Sequence, residues 1–364
     1  MNDVVVIGAG AAGLTATTAL RAAGLDATCV EARDRVGGRL ATTEGYDLGA
    51  TWFWDGEHRI ADLVARLGVP VFDQHRFGDA IVQDHTGTRR FAGNPIDVVA
   101  YRFGPGANAL AAGLAAQLPE TALRLSIPVT GIRLDGDTVE LRAASETLRA
   151  RQVVLAVPPA LAVARIDFHD GLDADLLRIA EATPVWMGAA AKVVACYRTP
   201  FWRTKGLAGA AISRTGPLRE IHDMSGPDGS RAALFGFTPA AVLRPGFEAA
   251  VTAQLTRMFG PEAVRPETLH VQDWSAERWT SPPGAEQRMD YGLFGHPRYQ
   301  RPALSGRLHW ASTETAPDHA GHIEGALHAG EQAARAVLTA LQTSIRSRSF
   351  AWRFLDGSAP SARR

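Results

Sequence analysis

The chain has 364 residues, of which 46% are hydrophobic and 21% charged, and its formal net charge is zero at pH 7. This composition predicts a soluble globular protein with two packed regions, and it argues against a nucleic-acid-binding or polybasic membrane surface. No apolar stretch approaches the roughly 20 residues that span a bilayer. The only cysteines, Cys29 and Cys196, are far apart in the sequence. Since no export segment precedes the first predicted strand, we expect a cytoplasmic protein whose cysteines are reduced core residues.

The first predicted unit is a strand, a glycine-rich turn and a helix. Val4 to Ile7 form a short β-branched run, as in a buried parallel strand. Gly8, Gly10 and Gly13 follow in G-x-G-x-x-G spacing, and the predicted helix ends near Gly24. The first glycine permits a tight turn, the second permits close approach of a pyrophosphate, and the third permits close packing of helix and strand.

A second predicted strand, "DATCVE", ends at Glu31, where a carboxylate can accept hydrogen bonds from ribose hydroxyls. Strand, turn, helix, strand and acid occur in the order of a dinucleotide-binding unit. The pattern predicts binding of a dinucleotide, and it does not distinguish NAD from FAD.

The next segment, "RDRVGGRL" (residues 33–40), does make that distinction. It resembles the R-x-G-G-R turn of the FAD-dependent amine oxidase family, which includes monoamine and polyamine oxidases. In that family the turn lies along the diphosphate, and Arg35, Gly37, Gly38 and Arg39 match it position by position. The glycines allow close backbone approach, and we expect Arg39 to offer a planar fork to phosphate oxygens.

Two further segments resemble the family in the same order. "YDLGATWFW" (46–54) is similar to the D-x-G-A-x-W segment whose backbone lies beside the flavin ring. Gly49 and Ala50 are small enough for that approach, whereas Trp52 and Trp54 are equally consistent with core aromatics. Residues 125–159 predict a meander with a tight turn at 135–136, followed by a buried strand. The resemblance implies that the backbone of Val129 contacts the adenine.

The candidate catalytic lysine lies in "WMGAAAKVVACYRTPFW" (186–202), which predicts a strand leading to a turn. The segment resembles the one in which a lysine, bridged by water, lies opposite flavin N5, and Lys192 has the matching position. It is one of two lysines in a chain with 36 arginines. A lysine in an apolar run is costly to bury without a polar partner, so an edge-strand lysine that reaches solvent is the alternative.

Residues 273–297 contain aromatic side chains that the resemblance places in the site. By resemblance, Trp274 lies near the flavin, and Trp279 or Tyr291 forms a second wall of the substrate pocket. Family members that tether the flavin covalently carry a cysteine in this region. This chain has none there, so we expect FAD to be bound non-covalently.

The last matching segment, residues 308–338, resembles the family's strand, T-E-T turn and G-x-x-E-G-A helix start. The resemblance implies that Glu314 bonds the ribityl or phosphate part of the flavin and that the Ile323 amide faces flavin O2, where a helix N-terminus stabilises negative charge. His322 stands where the family often has an aromatic residue beside the amine. An imidazole there indicates a more polar substrate, or a tolerated aromatic substitution. His319 and His322 are three residues apart, yet we predict no metal site.

The expected site residues fall into three groups. Lys192 and His322 are the catalytic candidates, and Trp54, Trp279 and Tyr291 are the pocket candidates. The predicted cofactor contacts are Gly8, Gly10, Ala12, Gly13, Glu31, Ala32, Arg33, Gly38, Arg39, Gly49, Ala50, Thr51, Trp52, Val129, Trp274, Glu314, Gly321 and Ile323.

The predicted fold is α/β with an α+β second domain: a discontinuous Rossmann-type FAD-binding domain and a sheet-based substrate domain. We assign residues 1–59, 105–160 and 270–341 to the FAD-binding domain and residues 60–104 and 161–269 to the substrate domain. Residues 342–364 are predicted to be a C-terminal tail that packs on the surface or frays.

The predicted activity is oxidation of a small-molecule amine, with hydride passing from the carbon alpha to nitrogen onto flavin N5, and with O2 or another acceptor reoxidising the flavin. Trp52 stands where amino-acid oxidases of the wider superfamily carry a carboxylate-binding arginine, so an amine without an alpha carboxylate is favoured. A flavoenzyme that oxidises a C–C or C–O bond and a non-catalytic flavin-binding protein are the alternatives. No nucleic-acid or membrane partner is predicted, and a homodimer is possible.

Overall fold

The structure is a computed structural model that describes residues 1–144, 146–285 and 290–355, with side chains described through Thr343. The strands in chain order are β1 (Asn2–Ile7), β2 (Ala27–Val30), β3 (Thr42–Thr43), β4 (Tyr46–Asp47), β5 (Val71–Asp73), β6 (Asp79–Asp84), β7 (Gly87–Phe91), β8 (Tyr101–Phe103), β9 (Leu123–Arg124), β10 (Val129–Asp135), β11 (Thr138–Ala143), β12 (Thr147–Leu155), β13 (Ala190–Cys196), β14 (Leu207–Ser213), β15 (Glu220–Asp223), β16 (Ala233–Pro239), β17 (Thr268–Asp273) and β18 (Leu308–Trp310).

The helices are α1 (Ala11–Ala22), α2 (His58–Leu67), α3 (Asn108–Ala116), α4 (Pro159–Arg165), α5 (Ala174–Ala182), α6 (Phe201–Thr204), α7 (Phe247–Phe259) and α8 (Ile323–Leu355). Short 3-10 turns occur at Glu120–Ala122, Ala240–Val242, Pro261–Val264, Tyr291–Leu293, Pro297–Gln300 and Thr313–Thr315.

Within the described residues, seven strands form the first sheet, in the order β10-β11-β12-β1-β2-β9 with β18 beside β12. The pairs that β1 makes with β2 and β12 are parallel, as is the pair of β12 with β18. The predicted meander is present as the antiparallel strands β10, β11 and β12. Because these strands come from three separate stretches of the chain, the Rossmann-type sheet is discontinuous, and the predicted fold class is confirmed.

Helices cover both faces of this sheet. On one face α1 lies against α8, and the close approach depends on Gly330, where a methyl group would lie 2.3 Å from the Ala12 carbonyl oxygen. On the other face α4 and α5 pack over β12 through buried apolar residues such as Ala162 and Ile179. Burying both faces is what a parallel sheet requires, since its strands carry apolar side chains on each side.

The second sheet also has seven strands in the described ranges, ordered β17-β13-β16-β15-β14-β6-β7. Strands β6 and β7 form an antiparallel hairpin at one end of this sheet. Helix α7 covers one face of this sheet with Val251 and Leu255, and the opposite face carries Phe235, which packs with Leu48 and Trp52. The space between the two sheets therefore lies against the inner face of the second sheet.

The packed units of the structure differ from the predicted domains at three boundaries. Residues 161–182 were assigned to the substrate domain, but α4 and α5 pack on the first sheet because their apolar faces cover β12. β17 begins at Thr268 and pairs with β13, so residues 270–273 belong to the second sheet. Helix α8 continues from Ile323 to Leu355 and passes the predicted start of the tail at 342. The rest of the predicted tail, residues 356–364, lies outside the described residues.

Cys29 and Cys196 are both buried and form no disulfide, as expected for core thiols. Burial raises the pKa of the Cys29 thiol to about 12, which keeps it protonated and unreactive at neutral pH. In the described part of the chain, no helix is long and apolar enough to cross a membrane.

Candidate active site

A cavity of about 510 Å³ lies between the two sheets and collects most of the residues singled out in the sequence. Both catalytic candidates, Lys192 and His322, lie on its wall together with Trp54 and Trp279. The predicted cofactor contacts that line it are Gly8, Gly10, Ala12, Glu31, Ala32, Arg33, Gly38, Arg39, Gly49, Ala50, Thr51, Trp52, Val129, Trp274, Gly321 and Ile323. Residues as distant in sequence as β1 and α8 thus meet at one cavity.

Three predicted site residues lie elsewhere. Gly13 packs inside the first unit, where a methyl group would lie 1.8 Å from the Gly8 carbonyl oxygen. Glu314 is fully buried behind the cavity wall, and Tyr291 packs its ring 5.2 Å from that of Trp186. Gly13 therefore acts through helix packing, as its motif position predicts, while Glu314 and Tyr291 lie outside the cavity lining and their contacts with a ligand stay predictions.

One end of the cavity is shaped to hold a dinucleotide. Of the residues that the structure describes, no side chain caps the start of α1, where Gly10 is the N-cap, and no acidic residue lies in its first turn. The free amides of this helix end can bind phosphate. Gly8 has a φ of +103°, and a methyl group there would lie 2.6 Å from the Ala156 carbonyl oxygen, so only glycine fits this turn.

Glu31 closes this end of the cavity directly after β2. Its carboxylate is 4% exposed and accepts hydrogen bonds from the amides of Ala9 (2.8 Å) and Arg33 (2.9 Å). These bonds tie the glycine turn to the segment that follows β2. The uncapped helix, the open glycine turn and the carboxylate together fit the phosphates and ribose of a dinucleotide.

Arg39 lies on the cavity wall, but its fork faces a protein partner. Its Nη1 and Nη2 donate to the two Glu314 carboxylate oxygens over 2.6 and 3.0 Å. Burial alone would raise the pKa of Glu314, yet the Arg39 charge and the Trp186 amide, which donates over 3.0 Å, outweigh it and hold that pKa below its ordinary value. The pair uses one N–H of each terminal nitrogen, and the contact of Arg39 with phosphate stays a prediction.

Lys192 lines the same cavity and is almost fully enclosed. It stands on β13, a central strand between β16 and β17, and 1% of the residue is exposed. Its Nζ donates to the Gly49 carbonyl oxygen (3.0 Å) and to the Thr51 hydroxyl, and it lies 4.3 Å from the centre of the Phe235 ring. The alternative of an edge lysine that reaches solvent is therefore excluded.

Burial lowers the pKa of Lys192 from its ordinary value to about 7, against the opposing influence of the Asp47 carboxylate. The amine therefore titrates near neutral pH, which is the range in which a group can both hold and release a proton during turnover. Its two oxygen acceptors fix the ammonium between the sheet and the 49–51 segment.

His322 also lines the cavity, next to Ile323, where α8 begins. Its Nδ1 is 2.6 Å from a carboxylate oxygen of Glu57, a residue that is 4% exposed, and its ring is 4.8 Å from that of Trp54. Glu57 also accepts the Trp54 amide over 2.9 Å. Since one buried carboxylate holds both residues, the imidazole and the indole form a fixed pair beside the cavity.

The described residues also bring His319 near Glu57, with Nδ1 3.7 Å from the same carboxylate oxygen. Among the described residues, the donor atoms of Glu57, His319 and His322 lie close enough together to bind one metal ion. The short bond between His322 and Glu57 already satisfies the carboxylate, so the contact is explained without a metal.

A comparison with known protein families agrees with this arrangement. The model of the flavin-containing amine oxidoreductases matches residues 11–101 and 100–338, which is most of the chain. The chain belongs to the flavin-containing amine oxidoreductase family. A flavin cofactor and the catalysis of a redox reaction follow from that membership, and both agree with the predicted family.

Relatives within this amine oxidoreductase family match over almost the full length. A protein described as a probable flavin-containing monoamine oxidase A from Dictyostelium discoideum is 23% identical, covering 94% of this chain and 99% of its own. A putrescine oxidase from Kocuria rosea is 26% identical, with 93% and 95% covered. The solved structure of cyclohexylamine oxidase from Brevibacterium oxydans superposes with a TM-score of 0.81 at 22% identity, covering 94% and 99%. This last likeness supports the fold.

Several cavity residues of this family member were missed from the sequence. Trp186 and Met187 follow α5 on the wall, and Met187 has a φ of +58°, which is unusual for a side chain of its size. Phe237 and Glu220 reach the cavity from β16 and β15. The positive φ is invisible in the sequence, but the alternation of Phe235 and Phe237 on one strand could have marked a cavity-facing row.

Proposed function

We propose that this protein is an FAD-dependent amine oxidase that binds FAD non-covalently and converts a small amine and O2 into an imine and H2O2. The observation that carries the proposal is that Lys192, fully buried with a pKa of about 7, shares one cavity with the uncapped end of α1. A lysine in that environment is unusual outside functional sites.

The residues that would hold FAD are those of the first unit. The amides at the start of α1 suit the diphosphate, Glu31 suits a ribose, and the 49–51 segment faces the same cavity from the Lys192 side. Both cysteines are described and neither lines the cavity, which supports non-covalent binding. When bound, the flavin would accept the hydride that leaves the alpha carbon of the amine, and with it both electrons of the broken C–H bond.

The chain's own contribution is alignment and exclusion of water. Trp54 and His322, both held by Glu57, offer a fixed aromatic wall against which a neutral amine can be oriented. Holding the reacting carbon in one geometry lowers the barrier without a separate general base. Lys192 places an ammonium in a water-poor region, where it stabilises negative charge as O2 is reduced to H2O2.

The favoured substrate is an amine without an alpha carboxylate. Trp52 occupies the position after Ala50 and Thr51, and its indole Nε1 donates to the Gln74 side chain over 2.8 Å, so it offers a carboxylate no cation. The names of the relatives, which refer to monoamines, putrescine and cyclohexylamine, support amines as the class.

The proposal also covers the cellular location and the oligomeric state of the protein. A cytoplasmic location is supported by the two reduced, buried thiols, and a homodimer is proposed without a designated interface. Sedimentation of the purified protein measures the oligomeric state directly.

The decisive screen measures H2O2 release by the purified yellow protein across a panel of amines, with product masses determined for each active compound. The proposal requires peroxide and an imine-derived carbonyl product from at least one amine. Acid precipitation in the same preparation should release FAD to the supernatant, and flavin retained in the pellet would refute the non-covalent attachment.

A further inference from the structure

His322 and Glu57 meet beside the cavity although 265 residues separate them in the sequence. His322 Nδ1 lies 2.6 Å from one carboxylate oxygen of Glu57, and the other oxygen accepts the Trp54 amide over 2.9 Å. The Glu57 side chain is 3% exposed, whereas that of His322 is 36% exposed and lines the cavity. A buried carboxylate therefore supports an imidazole that a ligand can reach.

The contact with Glu57 determines which nitrogen of the neutral His322 ring carries the hydrogen. Glu57 is the N-cap residue of α2, where the free helix amides favour negative charge. An ionised carboxylate only accepts hydrogen bonds, so Nδ1 is the donor and Nε2 carries the lone pair. Within the described residues Nδ1 bonds to Glu57 and Nε2 makes no hydrogen bond. The ring therefore offers a basic nitrogen to a ligand.

The other titratable groups of the cavity wall that could accept a proton are already engaged. Glu31 accepts two backbone amides at the dinucleotide end, and Glu220 bonds to a histidine on its own strand. The Lys192 ammonium donates to two oxygen atoms of the 49–51 segment. Among the described residues of the lining, His322 combines a lone pair without a protein partner with a buried countercharge.

An amine that carries an extra proton cannot be oxidised by loss of hydride. The nitrogen lone pair must form the C=N bond as hydride leaves the alpha carbon, and in an ammonium that pair is held in an N–H bond. Alkylammonium groups such as the lysine side chain ordinarily have a pKa of about 10.4, so most amine molecules are protonated at neutral pH. The hydride step itself needs no base, but the substrate must lose this proton first.

We propose that His322 accepts the proton of the substrate ammonium through Nε2, and that Glu57 is the positioning residue that keeps the ring in the accepting tautomer. This inference rests on the proposed amine oxidation. In the step, an N–H bond of the ammonium breaks, its electron pair stays on the amine nitrogen, and an Nε2–H bond forms. The imidazolium then has the Glu57 carboxylate beside Nδ1, and its partly exposed ring passes the proton to water.

The test compares an alkylamine substrate with its β,β-difluoro analogue at pH 8, using the rate of anaerobic flavin reduction per bound flavin. Fluorine makes the ammonium more acidic, so the analogue is mostly neutral and needs no base. His322→Gln should slow reduction by the alkylamine by about a hundredfold, at the low end of the range for a positioned base. Glu57→Gln, which keeps the size of the side chain and removes its charge, should slow it by about tenfold, as loss of a carboxylate that supports a histidine commonly does.

Reduction by the fluorinated amine should stay near the wild-type rate in both variants, which a structural role of the pair does not predict. His319→Ala is the matched control, because His319 also approaches Glu57 but is absent from the described lining of the cavity. Both amines should reduce this variant as they reduce the wild type. Equal slowing of the two amines in His322→Gln and Glu57→Gln would overturn the inference, while the amine oxidase proposal would stand.

A measurement on the wild type separates the two proposals without turnover. The probe is tert-butylamine, which has no hydrogen on its alpha carbon and cannot lose hydride. In flavin-loaded protein with 15N-labelled histidine rings at pH 8, the probe should protonate His322 Nε2, and NMR should show a large shift of that signal, which is assigned by its loss in His322→Gln. An Nε2 signal that no probe concentration changes would refute the proton transfer. If His322 is protonated but no amine is oxidised, the proton acceptor stands and the proposed reaction is wrong.

Discussion

Arg39 and Glu314, 275 residues apart in the sequence, form a bidentate ion pair in which the carboxylate has no exposed surface. The pair joins the turn that follows β2 to the turn that precedes α8. It also anchors the Trp186 amide, and therefore fixes a wall of the cavity from behind. The two family segments that match most clearly in the sequence are thus held together by one contact.

Removing the cation of this pair should destabilise the fold. Arg39→Met leaves the Glu314 carboxylate buried without its partner, and the free energy of unfolding should fall by about 3 kcal/mol, at the lower end of the range for broken buried pairs. Urea denaturation at pH 7 measures this change. Arg35→Met is the control, because within the described residues the hydrogen bonds of Arg35 go to backbone carbonyl oxygens of its own turn. If Arg39→Met lowers the free energy of unfolding no more than Arg35→Met does, the ion pair contributes little to stability.

The depressed pKa of Glu314 also predicts a pH dependence. A carboxyl whose pKa is lower in the folded state stabilises that state above its unfolded pKa of about 4.3, and the contribution is lost as the pH falls through the folded pKa. The difference in stability between wild type and Arg39→Met should therefore shrink in acid.

Lys192 should give the same direction of slope in the stability curve, in a higher pH window. Its pKa is about 7 in the folded state and about 10.4 in the unfolded state, so between these values the unfolded chain binds more protons. The free energy of unfolding of the wild type, relative to Lys192→Met, should rise with pH by up to about 1.4 kcal/mol per pH unit in this window. A flat difference between pH 7 and 10 would mean that the Lys192 pKa is not lowered.

The same substitution tests the role of Lys192 in the reaction with oxygen. Lys192→Met keeps the length and apolar packing of the side chain and deletes its charge. Stopped-flow should show near-normal anaerobic reduction by an amine and reoxidation slowed by about a hundredfold, the scale of one preorganised electrostatic group. Lys205→Met, which removes the other lysine and its exposed pair with Glu262, should reoxidise normally. If reoxidation is unchanged and folding yield alone falls, Lys192 is a structural residue.

His322 should contribute to amine binding rather than to cofactor retention. His322→Ala removes the ring that lies against Trp54 and should change kcat/KM by tenfold or more, about 1.4 kcal/mol, while the flavin content stays the same. His319→Ala is the matched control, since its imidazole also approaches Glu57 but is absent from the cavity lining of the described residues. Equal kinetics for His322→Ala and the wild type would assign His322 to packing.

The sequence predicted those parts of the site that depend on local spacing. Gly8, Gly10 and Glu31 belong to one short strand–turn–helix–strand unit, so their convergence follows from the geometry of that unit. Lys192 was found by its resemblance to the family segment and by the scarcity of lysine in the chain.

The missed contacts depend on tertiary packing instead. Glu57 reaches His322 across 265 residues because α2 packs beside α8, and Glu220 faces the cavity because of the order of strands in the second sheet. Neither contact leaves a recognisable pattern in the neighbouring sequence. The pairing of Glu314 with Arg39 could not be predicted either, because a motif identifies a turn without giving the direction of each side chain.

The measurement that tests the central claim most directly is anaerobic mixing of the yellow protein with amines, followed by admission of O2. Amine oxidation at this cavity predicts that at least one amine bleaches the flavin absorbance, and that oxygen restores the colour with one H2O2 released per flavin. A protein whose flavin is bleached by dithionite but by no amine in the panel would contradict the claim.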